Sequence, residues 1–353
     1  SRLYARSIAD DKAPIIAMLS ALDAVRASRI KLKANIKFVF EGEEEATSVI
    51  LEKTIAANRE LFAGDVWFIC DGPVYPTRQQ SVIFGSRGTQ VLDITVYGPR
   101  IELHSGHYGN WAPNPALTLA RLLASMKDAK DRVLIDHFYD QVEPLGPLER
   151  DAIARAPLID RDLMRDLWLG SADGQPSTIN ELITRPSLNI RGMASARVGA
   201  QATSVIPSTA TATLDIRLVK AMDVVRTQEL VREHVRRQGF FVVETDPTPE
   251  VRRAHPQVAK LVFRPGVAAS RTRMDLPISQ EVIRIVEGAR GDIVKLPTMG
   301  GQVPLGAIER PLGTKTIVIP IVNHDNNQHS YDENLRIQNL WDGIELMAAL
   351  LAM

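Results

Sequence analysis

The sequence predicts an α/β fold in two parts, a parallel-sheet domain interrupted by an inserted α+β domain of ferredoxin-like pattern. Three observations predict it. Residues 14–75 alternate helix and strand, as expected of a parallel sheet with crossover helices. Residues 89–270 instead run strand, helix, irregular stretch, two strands, helix, strand, which is the ferredoxin-like order. The first pattern then resumes and continues to the end of the chain. The expected division is therefore 1–88 with 271–353 as one domain and 89–270 as the second. A length of 353 residues agrees with two domains, because single cores rarely grow past about 250–300 residues. Apolar residues make up 45% and charged residues 24%, which excludes a disordered chain, a collagen and a small disulfide scaffold. Forty-two basic residues balance 42 acidic ones, which argues against a nucleic-acid or polybasic membrane surface. No apolar run approaches the roughly 18–20 residues that span a bilayer. The single cysteine, Cys70, forbids an internal disulfide.

The elements follow in order. A helix is expected over 14–26, with Pro14 in its first turn and Ile15, Met18, Leu19, Leu22 and Val25 as one apolar stripe. Asn35 to Phe40 reads as a short strand that ends in Glu41, Glu43, Glu44 and Glu45, and a helix follows from about Thr47 to Phe62. Asp65 to Cys70 is a near-continuous apolar run, typical of a strand buried on both faces, and stops at Asp71-Gly72-Pro73. In the inserted part, Thr89 to Tyr97 is a strand, and Pro115 to Met126 a helix with Leu119, Leu122, Leu123 and Met126 on one face. Residues 128–185 hold short helical pieces without a dominant pattern. Ser187 to Arg191 is a short strand. Thr209 to Arg217 alternates, with Ala210, Ala212, Leu214 and Ile216 to one side. A helix over 222–238 stops at Gly239, and Phe240 to Glu244 is the last strand of the insert. Beyond it come a helix over 278–288, an apolar strand over 316–322, and a closing helix over 335–351 with Ile337, Leu340, Trp341, Ile344, Met347 and Leu351 inward.

The chemistry is expected at the strand ends. Glu43 to Glu45, Asp71, and His324 with His329 each follow a predicted strand, and Asp10 and Asp11 precede a helix of the same domain. In open α/β sheets ligands bind outside the carboxyl ends of the strands. Taken singly, the glutamate run fits a solvated loop, Asp71 a turn, Asp10 a helix cap and His329 a loop histidine. Taken together they would crowd carboxylates onto one rim, where repulsion and burial oppose ionisation unless a dication is present. Asp, Glu and His without a cysteine cluster suit Zn²⁺ or a similar metal in a catalytic site.

An ordered series of segments carries a resemblance. These are Tyr4-Ala5-Arg6-Ser7-Ile8-Ala9-Asp10-Asp11-Lys12, Glu41-Gly42-Glu43-Glu44-Glu45, Phe68-Ile69-Cys70-Asp71-Gly72, His104-Ser105-Gly106-His107-Tyr108-Gly109-Asn110, Val205-Ile206-Pro207, Asp215-Ile216-Arg217-Leu218-Val219, Met299-Gly300-Gly301 and Gln328-His329-Ser330-Tyr331-Asp332-Glu333-Asn334. In sequence and order they resemble the M20 family of zinc peptidases, the carboxypeptidase and dipeptidase group. The resemblance implies a zinc-peptidase-like α/β catalytic domain with an inserted α+β ferredoxin-like lid that also serves dimerisation. It implies two zinc ions, Asp10 bridging them, Glu45 and His329 completing one and Asp71 binding the other. It implies Glu44 as general base, His104 as oxyanion stabiliser, often from the partner subunit of a dimer, and Arg217 on the substrate's terminal carboxylate. Gly300, Gly301 and Asn110 would lie along the substrate. The implied substrate is a small peptide or an N-acyl amino acid, and the implied assembly a homodimer through the lid, with no nucleic acid and no membrane.

Departures accompany the resemblance. Ala5, Ala13 and Thr47 stand where the family usually has Gly, and Val219-Lys220 replaces Val-Pro. The family also places a metal-binding His in an H-x-D segment upstream of the Asp10 motif, so the expectation is a catalytic domain lacking its N-terminal portion. Two readings follow: an M20-like metallohydrolase, or a catalytically incomplete fragment that binds ligands or dimerises without catalysis. The sequence leaves the compartment open.

Overall fold

The computed structural model describes residues 1–46, 48 and 50–353. A four-stranded mixed sheet runs in the order Val294–Leu296, Ser81–Ile83, Lys315–Val318, Val66–Ile69. Helices cover both faces, and the strand residues alternate between them. Val82 and Ile317 point into a core with helices Ala13–Ala27, Pro277–Arg290 and Ile337–Leu351. Ile83 and Val318 point the other way, toward Leu305, Val303 and Ile159. Lys315–Val318 and Val66–Ile69 are parallel, so the chain leaves both at the same rim, toward Asp71 and toward the 323–329 loop.

Helix Ala13–Ala27 forms where the sequence predicts it; of the expected stripe Val25 is buried and Met18 packs against the core, while Leu19 is exposed. Its buried residues are Ala13, Pro14, Ala17, Ala21 and Val25, while Ile16 and Leu19 are exposed. The alanine row lets this helix lie close against Ile337–Leu351, so small size decides the packed face here. The closing helix packs Leu340, Ile344, Met347 and Leu351 on the core as expected, buries Gly343, Leu346 and Leu350 beside them, and leaves Trp341 exposed. The strand expected over 35–40 is absent: these residues pair with no sheet, and Lys37 Nζ instead donates to the carbonyls of Glu60 and Ala63. Strand Val66–Ile69 sits at the sheet edge and is only half-buried, against the expectation of burial on both faces. Of the helix expected over 47–62, Leu51–Ala57 and Arg59–Phe62 are present, and Thr47 lies outside the described residues.

The inserted part is built on a five-stranded sheet, ordered Phe241–Val243, Val258–Phe263, Gly88–Tyr97, Thr209–Leu218, Ser187–Ala194. Helices Pro115–Ala124 and Val224–Arg237 pack on one face, against Leu92, Ile94, Leu214 and Ile216. Sequence reasoning found four of these strands. The fifth, Val258–Phe263, takes the place beside Gly88–Tyr97, and Phe241–Val243 pairs parallel outside it.

Two antiparallel connections, Gly85–Ser86 and Ser270–Arg271, join the parts. A Cβ on Gly85 would lie 2.2 Å from the Ser270 carbonyl oxygen, so only glycine fits there. Helix Pro147–Arg155 and the residues after it fall inside the 89–270 range yet pack on the four-stranded sheet, where Ala152, Ala156 and Ile159 are buried. Arg271, itself buried, ties this segment down through Glu143 at 3.0 Å and Glu149 at 3.3 Å.

Candidate metal centre

Four loops meet at the rim of the four-stranded sheet. The first is a wide turn, Ile8–Lys12, in which Asp10 and Asp11 leave helical geometry just before helix Ala13–Ala27 starts. Ala9 is buried beneath it and anchors the turn to the core. The second is the short turn Glu44–Ala46. The third begins at Asp71, after strand Val66–Ile69, and the fourth carries His329. His329 takes φ +63, an uncommon backbone angle for a residue with a side chain.

Asp10, Glu45 and His329 converge, each offering an atom within 4.8 Å of the others. His329 Nε2 lies 3.0 Å from Asp10 Oδ2 and 3.0 Å from Glu45 Oε1. One ring nitrogen carries at most one proton, so it cannot donate well to two carboxylates at once. A cation accepting lone pairs from all three atoms resolves the arrangement, and the donor set therefore fits a metal.

The electrostatics point the same way. Asp71 is pushed up to about 6, by burial first and then by Asp10, although the Gly72 N–H opposes the shift. Burial and then Asp71 push Glu44 up to about 7. Asp11 rises to about 9 through burial and the charges of Asp71, Asp10 and Glu44. Asp10 is raised by burial and by Glu45. Each carboxylate penalises its neighbours' ionisation, so added positive charge at the cluster is favourable. Asp11 Oδ1 is buried without a hydrogen-bond partner, a second sign of unmet demand. Cys70 is no rival ligand: its thiol is buried and pushed up to about 12 by burial, Asp11 and Asp71.

The other expected site residues are not bonded to this cluster among the described residues. His104 ends strand Leu103–His104, is exposed, and accepts the Gly106 N–H at Nδ1 over 3.1 Å. Its ring lies 4.5 Å from that of His107. Asn110 is exposed at φ +63, which asparagine tolerates better than most residues. Arg217 donates from Nε to Asp215 Oδ2 at 2.8 Å, and Arg191 shares the same carboxylate at 3.1 Å. Among the described residues, no hydrogen bond or ion pair joins His104, Asn110 or Arg217 to Asp10, Glu45 or His329. Gly300 and Gly301 sit in the bend after Val294–Leu296, with Met299 Cε 3.7 Å from a Cβ built on Gly72. Neither glycine has a left-handed backbone, and a Cβ on either meets only ordinary contacts at 3.5 and 3.6 Å.

Sequence reasoning missed the residues behind the ligands. Gln328 Nε2 donates to Asp10 Oδ2 at 3.3 Å, Arg6 reaches Glu45 at 3.4 Å, and Glu333 accepts from the backbone of the Asp10 turn. Glu333 stands four residues past His329 in a segment already singled out, and that proximity was the only available signal.

Comparison with known proteins agrees with this geometry. The chain is 28% identical to Beta-Ala-His dipeptidase of Homo sapiens over 358 residues, covering 99% of this chain and 68% of that protein. It is 26% identical to a Cys-Gly metallodipeptidase of Schizosaccharomyces pombe over 355 residues, covering 98% and 71%. Among solved structures, an M20 family metallo-carboxypeptidase of Sulfolobus solfataricus superposes with a TM-score of 0.85 at 24% identity, covering 99% of this chain and 77% of that one. Human carnosine dipeptidase 1 superposes at 0.74 and 25% identity, covering 99% and 73%. The sequence pattern of Peptidase family M20/M25/M40 matches residues 1–353, and the chain belongs to that family.

Proposed function

We propose that the chain is a metal-dependent peptide hydrolase that cleaves a short peptide, or an N-acyl amino acid, beside a free carboxylate. The observation that carries this reading is the convergence of Asp10, Glu45 and His329 on one point, with Glu44 next in the chain. The dipeptidases among its relatives support a dipeptide as substrate. Two carboxylates and an imidazole suit zinc. Asp10, Glu45 and His329 would hold one ion, and Asp10 with Asp71 a second. When bound, the metal supplies Lewis-acid activation of the scissile carbonyl and of the attacking water.

The protein's own groups do the rest. Glu44 takes a proton from the attacking water at its carboxylate and returns it to the leaving amine. Adjacent positions let Glu45 stay fixed while Glu44 remains free for this transfer. His104 accepts the Gly106 N–H at Nδ1, so the neutral ring carries its proton on Nε2 and can donate to the developing oxyanion. Arg217 offers its guanidinium to the substrate's carboxylate, with Asp215 holding Nε.

Separate hydrophobic cores support a catalytic domain of 1–88 with 271–353 and a lid of 89–270, with residues 147–163 of that range packed on the catalytic side. A homodimer through the lid completes the reading, supported by an edge strand, Ser187–Ala194, that leaves Ile190 and Met193 exposed. The test is Glu44→Gln. Hydrolysis of a dipeptide should fall about 10²–10⁴-fold with bound metal unchanged. Activity that survives the substitution removes Glu44 as the base.

A further inference from the structure

We infer that Glu333 is a positioning residue for the metal centre, holding the Asp10 turn in the one shape that presents its carboxylate to His329 and Glu45. The inference rests on the metal-centre reading above. The Glu333 side chain is 1% exposed, yet among the described residues the candidate metal cluster does not include it. Both its oxygens are saturated. Oε2 accepts from Arg6 Nη1 at 2.8 Å and from the Ser7 N–H at 2.9 Å. Oε1 accepts from the Ala9 N–H at 3.0 Å and the Asp10 N–H at 2.9 Å. Its own carbonyl accepts the Ala5 N–H at 3.1 Å. The chain from Ala5 to Asp10 thus wraps around one buried carboxylate.

That wrapping satisfies the N–H groups that the turn's own bonds, Ile8 N–H to the Ala5 carbonyl and Lys12 N–H to the Ser7 carbonyl, leave open. Ser7 has φ +64, and Asp10 and Asp11 have neither helical nor regular extended angles, so these residues gain nothing from a neighbouring ladder. The N–H groups of Ser7, Ala9 and Asp10 need acceptors, and Glu333 supplies them. The same residue is tied by hydrogen bonds to two of the three ligand positions and stands close in the chain to the third. It is four residues from His329 in the chain, bonds the backbone of Asp10, and through Arg6 meets Glu45. Groups that orient metal ligands in this way commonly carry about 10–100-fold in metal affinity or activity.

Glu333→Gln is the test. The amide presents an NH₂ to one pair of these donors, so that pair loses its acceptor. Zn²⁺ affinity, measured by competition with a chelating dye, should weaken about 10–100-fold, and kcat for a dipeptide should fall with KM little changed. Leu350→Ala, a core truncation in the same domain, serves as the control: it should lower the melting temperature and leave Zn²⁺ affinity of the folded protein as it was. If Glu333→Gln behaves like Leu350→Ala, Glu333 is merely structural and the inference is wrong. If the unaltered protein binds no Zn²⁺, the metal-centre reading itself fails, which is a different result. Should Glu333→Gln not fold, amide exchange on the unaltered chain decides. Protection of the Ser7, Ala9 and Asp10 N–H groups in the metal-free protein is expected, and free exchange overturns the clamp.

Discussion

Removing the metal should leave a protein that grows less stable as pH rises, and the structure gives the size of the effect. In the metal-free fold Asp71 is pushed from 3.8 to about 6, and Glu44 from 4.5 to about 7. Both are acids with raised values, so between the unfolded and folded values the native state binds more protons than the unfolded one. Stability is then greatest at the acidic end of that window and is lost as pH climbs through it. Each pKa unit corresponds to about 1.4 kcal/mol, so Asp71 alone accounts for on the order of 3 kcal/mol. Glu44 and Asp71 share one repulsion, so their contributions do not add in full. For a chain of this size a change of that order moves the melting temperature by a few degrees. A bound metal holds the carboxylates ionised and removes the slope.

The assay is a set of thermal melts between pH 5 and 8, on chelator-treated and zinc-loaded protein. His234, buried and paired with Ser125 at 2.9 Å, works in the opposite direction. Burial and then Arg237 lower its value, so its contribution is lost as pH falls below the ordinary histidine range. It lies in the core of the inserted part and is equal in both samples, so it cancels from the difference between the two curves, which reports the metal cluster. The metal-free protein should approach the loaded one in stability near pH 5 and fall away from it toward pH 8. A gap that stays constant, or narrows as pH rises, refutes the crowding argument.

Arg217→Lys should raise KM for a dipeptide about tenfold or more and leave metal content unchanged, because a lysine cannot reproduce the fork that meets a carboxylate. Steady-state kinetics check this, and an unchanged KM removes Arg217 from the substrate. Two glycine substitutions should move stability in opposite senses in urea unfolding. Gly85→Ala places a Cβ 2.2 Å from a backbone oxygen of the other connection and should cost about 3 kcal/mol. Gly288→Ala, inside helix Pro277–Arg290 with nothing within 4 Å, should stabilise by about 0.5–1 kcal/mol.

Periodicity made the longer elements legible. Gly88–Tyr97, Thr209–Leu218, Pro115–Ala124 and Val224–Arg237 stand where the alternation or the apolar stripe predicts. What failed was the assumption that larger apolar residues mark the buried face. In Ala13–Ala27 the close neighbour selects alanines, and Leu19 of the expected stripe stays outside. Residues 35–40 have strand composition but no partner edge, and composition does not supply one. Ser81–Ile83 and Val294–Leu296 are too short to show a period at all. At the site, chemically unusual residues at strand ends were readable, and Asp10, Glu45 and His329 do come together. Glu333 was not readable, because its partners are mostly backbone N–H groups, which leave no mark in side-chain identity.

Metal content of the unaltered protein and of His329→Ala, measured side by side by elemental analysis, tests the central claim most directly. Stoichiometric metal is expected in the first, and the loss of at least one equivalent per chain in the second, together with loss of dipeptide hydrolysis. Equal metal content in the two proteins would contradict that claim, because the point where Asp10, Glu45 and His329 converge would then not be where the metal binds.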